Sequence, residues 1–358
     1  MKILKNLLKD VNFVFGGGLF ILTMLFALLG PVFVNINTES DFMPYQAPRS
    51  AIMADQNHLG EWNFEAGKTY NNTVHAVVTL KDGDATKVVK TNLTLSNASP
   101  NGLVTIPNDI LLKNTSSEGH NAEVVSVSVG KVGILGTDHL GRDMLSLLIE
   151  GLRSSLYVGF IAGILATLLG TFLGVYAGYK GGWIDDIVNM VTNLFLVIPS
   201  FVVLLLISAS LKDGRSLELI ALIIGLTTWT WTTRSVRAQT ASLKGSEHIN
   251  LARVNGASTF TILTKHILPY LLSYVFMVFI IQIASGILQE ASISMLGLGP
   301  YDSISLGNIL NDSMHNEALG DGVWWAFMPG TFLITSVVFA LYTLNTSMEG
   351  VFNPALRK

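Results

Sequence analysis

The chain has no cysteine among its 358 residues, and charged residues are scarce. The absence of thiols excludes disulfides and thiolate metal sites. Only 13% of the residues are Asp, Glu, Lys or Arg, against the roughly 25% typical of soluble domains, whereas 50% are hydrophobic. The net charge of −3 provides no excess of basic residues for binding nucleic acid. This composition is typical of a membrane protein.

Six apolar segments are each long enough to cross a hydrocarbon core of ~30 Å. They are Phe13–Val34, Ser154–Tyr179, Ile184–Leu211, Leu217–Val236, Tyr270–Met295 and Trp325–Thr346. We expect the first to be a retained helix, because the apolar part of a signal peptide is typically only ~7–15 residues long. The sequence therefore predicts an all-α polytopic membrane protein with six transmembrane helices in contact with membrane lipid.

Lys and Arg are distributed unevenly between the connecting segments. Residues 234–269 contain five of them, whereas residues 297–324 contain none. Because loops rich in Lys and Arg are retained in the cytoplasm, loop 237–269 and both termini are predicted to lie inside the cell. This predicts a multi-pass plasma-membrane protein with its N- and C-termini in the cytoplasm.

Residues 35–135 form a polar segment between the first two apolar ones. Polar and apolar residues alternate in stretches such as 74–80 and 124–129, and Asp82-Gly83 is typical of a hairpin turn. We expect a small β-rich extracytoplasmic insert here. Residues 1–34 would then supply the N-terminus and first helix, and residues 136–358 a five-helix core. Within that core, residues 136–153 are predicted to form a separate amphipathic helix on the outer membrane surface.

Loop 237–269 has the caps of two short helices. Ser246 is placed to cap a helix over Glu247–Val254, which Gly256 would end in the left-handed conformation. Ser258 is placed to cap a second helix that continues to Leu268, and Pro269 would open the next membrane helix. Three apolar residues offer a contact surface: Ile249, Leu251 and Ala252. We interpret this loop as a two-helix projection that binds a soluble partner.

The loop resembles the EAA loop of binding-protein-dependent ABC importer permeases of the dipeptide, oligopeptide and nickel type. Asn250-Leu251-Ala252 occupies the E-A-A position, Gly256 matches the family glycine, and Ile267-Leu268-Pro269 closes the motif. Asn250 and Leu251 differ from the usual acidic and small residues. Four further segments resemble the same family in the same order: Gly136–Asp143, Ala177–Asp185, Leu296–Gly299 and Phe352–Arg357.

The resemblance implies a C-type permease subunit of an ATP-driven importer. Its expected partners are a second, homologous permease, two cytoplasmic ABC ATPases and an extracellular solute-binding protein. The residues that would couple this chain to the ATPases are Glu247, Asn250, Leu251, Ala252, Arg253, Gly256, Ala257, Ser258 and Pro269. The sequence contains no G-x-x-x-x-G-K-[ST] phosphate loop, so ATP and Mg²⁺ are expected on the partner ATPases. No catalytic activity, cofactor or metal is expected in this chain.

Polar residues within the apolar segments are candidates for the transport pathway, because such residues are costly in a membrane and often functional. They are Gln282, Ser285, Gln289, Glu290, Asn189 and Asn193. The alternative is that they join helices of the two permease subunits by hydrogen bonds. Amide side chains suit peptide backbones, so oligopeptides or dipeptides are the expected substrates. A nickel or other small-solute permease of the same family and a membrane receptor with an extracytoplasmic ligand domain remain alternatives.

Overall fold

A computed structural model describes residues 10–34, 134–211, 214–301 and 303–352, together with Leu7 and separate strands and positions between 36 and 129. Its helices are α1 (Val11–Phe33), α2 (Met144–Lys180), α3 (Gly182–Val197), α4 (Ser200–Ser210), α5 (Leu217–Leu243), α6 (Glu247–Val254), α7 (Leu268–Met295), α8 (Leu306–His315) and α9 (Trp324–Phe352). Between α6 and α7 lie one α-helical turn, Thr259–Thr261, and a π-helical segment, Ile262–Ile267. We call Ile262–Ile267 the π segment.

Several of these helices are long and apolar enough to cross a membrane. Among the described residues they are α1, α2, α9 and the continuous helix Thr259–Met295, and α3 with α4 makes a fifth if the bent pair is one span. The chain is therefore a mostly helical, multi-pass membrane protein. Helix α5, at the position of another predicted span, is 27 residues long and rich in Thr and Trp in its second half. The count of six spans remains a prediction.

Helix α2 runs without a break for 37 residues from Met144. The prediction of a separate surface helix within residues 136–153 is wrong, because its apolar stripe continues into the next span without a helix-breaking residue. The side chains of Leu148 and Leu152 are each only 1% exposed, so this stripe packs inside the protein. Asp143 supports the start of α2, since its carboxylate accepts a hydrogen bond from the Ser146 backbone N–H at 2.8 Å.

The predicted span Ile184–Leu211 is two helices rather than one. Helices α3 and α4 meet at a 74° bend. Ile198 is extended there, with φ −86° and ψ 120°, and Pro199 precedes the first residue of α4. The cause is local, because a proline ring disfavours helical geometry at the residue before it.

The strands lie between α1 and α2. They are β1 (Ile52–Met53), β2 (Asp55–Gln56), β3 (Trp62–Glu65), β4 (Asn72–Asp82), β5 (Ala85–Leu95), β6 (Leu103–Ile106) and β7 (Glu123–Val129). One antiparallel sheet has the order β1-β7-β4-β5, and another the order β2-β3-β6. Val78 and Val127 are paired across β4 and β7 and are both fully buried. The position of these strands outside the membrane remains a prediction.

The chain divides into two compact units. One comprises Met1–Leu29, Glu150–Asn311 and Thr331–Lys358, and the other comprises Gly30–Ile149 and Asp312–Gly330. This division places residues 136–149 and 312–330 with the strands, whereas the sequence assigns them to the five-helix core. All the residues of the candidate site described next lie in the first unit.

Candidate coupling surface and intramembrane cavity

Helix α6 spans Glu247–Val254, as the sequence predicts, and its two ends are stabilised differently. At its start, the Ser246 hydroxyl donates to the Leu243 carbonyl, so the expected side-chain cap is absent from this described helix. At its end, Gly256 has φ +77°. The Gly256 and Ala257 backbone N–H groups donate to carbonyls of the last turn, each at 3.1 Å. This is a Schellman motif, which requires the left-handed conformation that glycine adopts without strain.

The two faces of α6 have different surroundings. Ile249 is fully buried and Ala252 is 8% exposed, in an apolar cluster with Val236 and Ile262. Leu251 is 63% exposed and projects from the opposite face. Of the three predicted contact residues, only Leu251 is therefore available to a partner. We call the exposed side of this region, comprising Glu247, Asn250, Leu251, Val254 and Phe260, the α6 surface.

Polar contacts fix α6 and the helix ends around it. The Arg253 guanidinium lies 5.7 Å from the centre of the Tyr179 ring, a cation–π arrangement that connects α6 to the end of α2. The Asn250 side-chain amide donates to the Gly245 carbonyl at 3.1 Å. Since Asn250 also lies on the exposed face, its side chain stabilises the loop before α6 while remaining part of the α6 surface.

The second short helix predicted in loop 237–269 is not separate from the membrane helix. Ser258 does cap a helix, since its hydroxyl oxygen accepts a hydrogen bond from the Thr261 N–H at 3.3 Å. That helix continues through the π segment into α7, with Pro269 in the first turn of α7. Proline lacks an N–H and crowds the carbonyl four residues earlier, and the wider π turn directly before it relieves this conflict. The projection therefore consists of α6 and the N-terminal end of the continuous helix Thr259–Met295.

A cavity of about 590 Å³ lies among α3, α4, α5, α7 and α9. Its lining residues are Phe195, Leu196, Ile198, Pro199, Ser200, Thr227, Thr228, Thr230, Trp231, Ile281, Gln282, Ser285, Gln289 and Tyr342. Three predicted pathway residues, Gln282, Ser285 and Gln289, thus lie on one cavity wall. Within the described part of the chain, this lining contains no Asp, Glu, Lys, Arg or His. We call this space the α7 cavity.

Hydrogen bonds orient both glutamines of the α7 cavity. The Gln282 amide nitrogen donates to the Thr228 carbonyl at 3.1 Å and to the Thr232 hydroxyl oxygen at 2.6 Å. These bonds join α7 to α5 within this chain, whereas the alternative interpretation of the polar residues concerns bonds between permease subunits. The Gln289 amide nitrogen donates to the Ser285 hydroxyl oxygen at 3.2 Å. The Gln289 carbonyl oxygen is buried and has no hydrogen-bond partner among the described residues.

Among the described lining residues of the α7 cavity, the other three predicted pathway residues do not occur. Glu290 is fully buried, and its two carboxyl oxygens accept hydrogen bonds from Ser155 at 2.8 Å and Ser294 at 2.6 Å. It therefore joins α7 to α2. Asn189 is half-buried and Asn193 is exposed, both on α3. Their transport role remains a prediction.

The rest of the α7 cavity has only a weak signal in the sequence. Thr227 and Thr228 on α5 are predicted from the sequence only as parts of a span, and Tyr342 lies far away in the sequence. The one local signal is Pro199, which interrupts an otherwise apolar segment and produces the bend at the cavity wall. Proximity of α9 to this bend depends on tertiary packing.

An ionic cluster lies in the compact unit that comprises Gly30–Ile149 and Asp312–Gly330, and most of its residues belong to the segment before α2. The Asp138 carboxylate accepts bonds from the backbone N–H groups of Leu140 and Arg142, and it pairs with the Arg142 guanidinium at 2.6 Å. Arg142 also reaches Asp312 at 3.1 Å. Burial and the nearby carboxylates raise the pKa of Tyr45 to about 12. His139 lies close enough to both carboxylates for the three side chains to share a cation, and the Arg142 guanidinium already pairs with both carboxylates.

Comparisons with known proteins agree with the helical architecture. Residues 170–358 match the family described as binding-protein-dependent transport system inner membrane component. The chain belongs to this family. That matched range includes α6 and all the lining residues of the α7 cavity.

Three relatives illustrate the range of named substrates in the family. The oligopeptide transport system permease protein OppC of Mycobacterium tuberculosis is 30% identical, over 62% of this chain and 76% of its own. The dipeptide transport system permease protein DppC of Bacillus subtilis is 31% identical, over 62% and 69%. The metal-staphylopine import system permease protein CntC of Staphylococcus aureus is 37% identical, over 62% and 76%.

Family membership defines the general role of the chain. It is a permease subunit of an ABC importer, a membrane-embedded component that is not itself catalytic. An importer of this kind also includes other subunits.

Proposed function

We propose that this permease subunit imports oligopeptides or dipeptides. The observation that supports this proposal most directly is the α7 cavity, whose wall carries Gln282 and Gln289 but no charged side chain among its described lining residues. A pathway for peptides of varied sequence needs hydrogen-bonding groups for the constant backbone and little preference for side-chain charge. The names of two of the three relatives described above, for oligopeptide and dipeptide transport, support the same substrate class.

The chain would work in a complex with a second homologous permease, two cytoplasmic ABC ATPases and an extracellular solute-binding protein. ATP and Mg²⁺ would bind only to the ATPases. In this arrangement the chain has six spans with both termini in the cytoplasm, and the sheets of β1–β7 lie outside beside the solute-binding protein. The α6 surface faces an ATPase, so that closure of the ATPases on ATP moves α6 and opens the bundle outward.

Import of a metal chelate is the second candidate function. It is favoured by the relative that is 37% identical and named for metal-staphylopine import. The sequence of the permease alone separates these two candidates weakly. A receptor without transport has less support, because the chain belongs to a permease family.

Transport by the complete complex reconstituted in lipid vesicles tests these candidates. The assay would compare ATP-dependent uptake of labelled mixed oligopeptides, dipeptides and nickel with or without a chelator. Saturable, ATP-dependent peptide uptake that requires the solute-binding protein is the expected result. Uptake of only the metal chelate would favour the second candidate and contradict peptide import.

A further inference from the structure

We propose that the α7 cavity recognises the backbone N–H groups of a passing peptide through the side-chain carbonyl oxygens of Gln282 and Gln289, without selecting for side-chain charge. This inference rests on the proposed peptide import and assigns Gln289 as a specificity-determining residue. The volume of the α7 cavity, about 590 Å³, is within the range of pockets that enclose small ligands.

The first argument is that four polar side chains of the α7 cavity already donate their protons within the protein. The Thr227 and Thr228 hydroxyls donate to carbonyls of their own helix, α5, at 2.9–3.0 Å. The Gln282 amide nitrogen donates to α5, and the Gln289 amide nitrogen donates to Ser285. Thr227, Thr228 and Gln282 therefore offer only oxygen lone pairs, which are hydrogen-bond acceptors, and Gln289 offers its carbonyl oxygen beside one remaining N–H.

The orientation of Gln282 is fixed by its partner. The Thr228 carbonyl can only accept a hydrogen bond, so the Gln282 side chain must turn its nitrogen towards α5. Its carbonyl oxygen is thereby left as the free end of a side chain that lines the cavity. The Gln289 carbonyl oxygen, seven residues further along α7, is buried without a partner in the described structure. A buried unpaired acceptor is costly unless a ligand or water satisfies it.

The second argument is the absence of charge. With no Asp, Glu, Lys, Arg or His among the described lining residues, the α7 cavity has no formal charge near neutral pH with which to attract or exclude an ionised side chain. Phe195, Trp231 and Tyr342 provide apolar faces instead. Hydrogen-bond acceptors beside aromatic faces fit a neutral N–H donor that recurs along every peptide.

The test crosses a change in the peptide with a change in Gln289, using the reconstituted complex with the solute-binding protein at saturating concentration. One peptide is a neutral oligopeptide, and the other is the same peptide with its backbone N–H groups methylated. Affinity of each peptide for the solute-binding protein is measured separately, and uptake is normalised to it. Gln289→Leu removes the acceptor, whereas Ser292→Ala removes an exposed hydroxyl that bonds within α7 and serves as the control.

We expect the wild-type complex and Ser292→Ala to import the unmethylated peptide in preference to the methylated one. In Gln289→Leu the ratio of the two uptakes should be about threefold to tenfold smaller, which is equivalent to the loss of one net hydrogen bond. Gln289→Glu should newly favour Lys-containing over Glu-containing peptides, which wild type should import equally. Equal methylation preference in wild type and Gln289→Leu, with both complexes active and stable, would overturn the proposal and leave peptide import intact. Absence of all peptide uptake by wild type would overturn both.

Discussion

Arg237 and Asp185 form an ion pair with two parallel hydrogen bonds, which joins the end of α5 to the start of α3. The Arg237 Nε and a terminal guanidinium nitrogen each lie 2.5 Å from one oxygen of the Asp185 carboxylate. The side chains are only 30% and 17% exposed, respectively, so water screens the pair weakly. Parallel bonds of this kind fix direction as well as distance. The pair therefore holds α3, which ends at the Pro199 bend, against α5, which precedes α6.

Asp185→Asn should destabilise the protein by about 1.5–3 kcal/mol, because it leaves Arg237 without its charged partner in a partly buried place. Thermal unfolding of the purified protein in detergent would measure the loss. Glu150→Gln is the matched control, since Glu150 and Arg153 form a more exposed pair, 36% and 47% exposed. Its expected cost is within about 1 kcal/mol. Equal melting temperatures for the two variants would contradict this role of Asp185.

Gly256→Val should uncouple ATP hydrolysis from transport. Gly256 has φ +77°, a conformation that a β-branched residue resists, although open space surrounds the position of the new side chain. The strain would therefore distort the Schellman motif that ends α6. The measurement is the number of ATP molecules hydrolysed per peptide imported, which should rise. Gly245→Val is the control, because that position is equally open and lacks a positive φ. Unchanged coupling in Gly256→Val would refute the expectation.

Leu251 and Ile249 allow the surface role of α6 to be separated from its structural role. Leu251→Asp should weaken binding of the ATPases and leave the melting temperature close to wild type, because Leu251 is 63% exposed. Ile249→Ala should instead lower stability by about 2–5 kcal/mol, because Ile249 is fully buried. Copurification of the ATPases and thermal unfolding would be measured for both variants. A large loss of stability in Leu251→Asp would show that α6 is packed differently.

The sequence predicts local features of this protein better than it predicts the connections between them. The end of α6 at Gly256 is predictable, because a glycine stop acts over a few residues, whereas the predicted Ser246 cap does not form. The merging of residues 144–153 into α2 was missed, since an amphipathic stripe has the same period on a membrane surface as in a protein core. The α7 cavity was half predictable. Gln282 and Gln289 stand out as polar residues in an apolar helix, whereas Tyr342 is brought close only by packing.

Gly170→Leu should prevent close packing of α2 against α5. A Cβ atom at Gly170 would lie 2.5 Å from the Thr232 Cβ and 2.8 Å from the Trp229 carbonyl oxygen. Backbone atoms cannot yield as a flexible side chain does, so the helices must separate. A cost of at least about 1–3 kcal/mol is expected from overpacking, visible as reduced accumulation in the membrane and a lower melting temperature. Gly18→Leu on α1 meets no neighbouring atom within 4 Å and should be tolerated.

The π segment is the remaining feature to test, because it joins α6 to the helix that lines the α7 cavity. A π turn has one residue more than the α-helical turn it replaces, and such turns are often found at functional sites. Deleting Thr264 should remove the extra residue and restore regular helix while leaving the faces of α6 and α7 in register. Thr264 is exposed, and its hydroxyl bonds only to the Phe260 carbonyl among the described contacts.

We expect the Thr264 deletion to accumulate in the membrane with a melting temperature below wild type, because a regular α-helix would bring Pro269 back into conflict with the carbonyl four residues earlier. Coupled transport should also fall, because movement of α6 would no longer be taken up by a bend at the π segment. Thr264→Ala keeps the chain length and should transport as wild type. Full coupled transport by the deletion variant would mean that the π segment serves only to accommodate Pro269. A failure to fold would mean that the extra residue sets the register between α6 and α7.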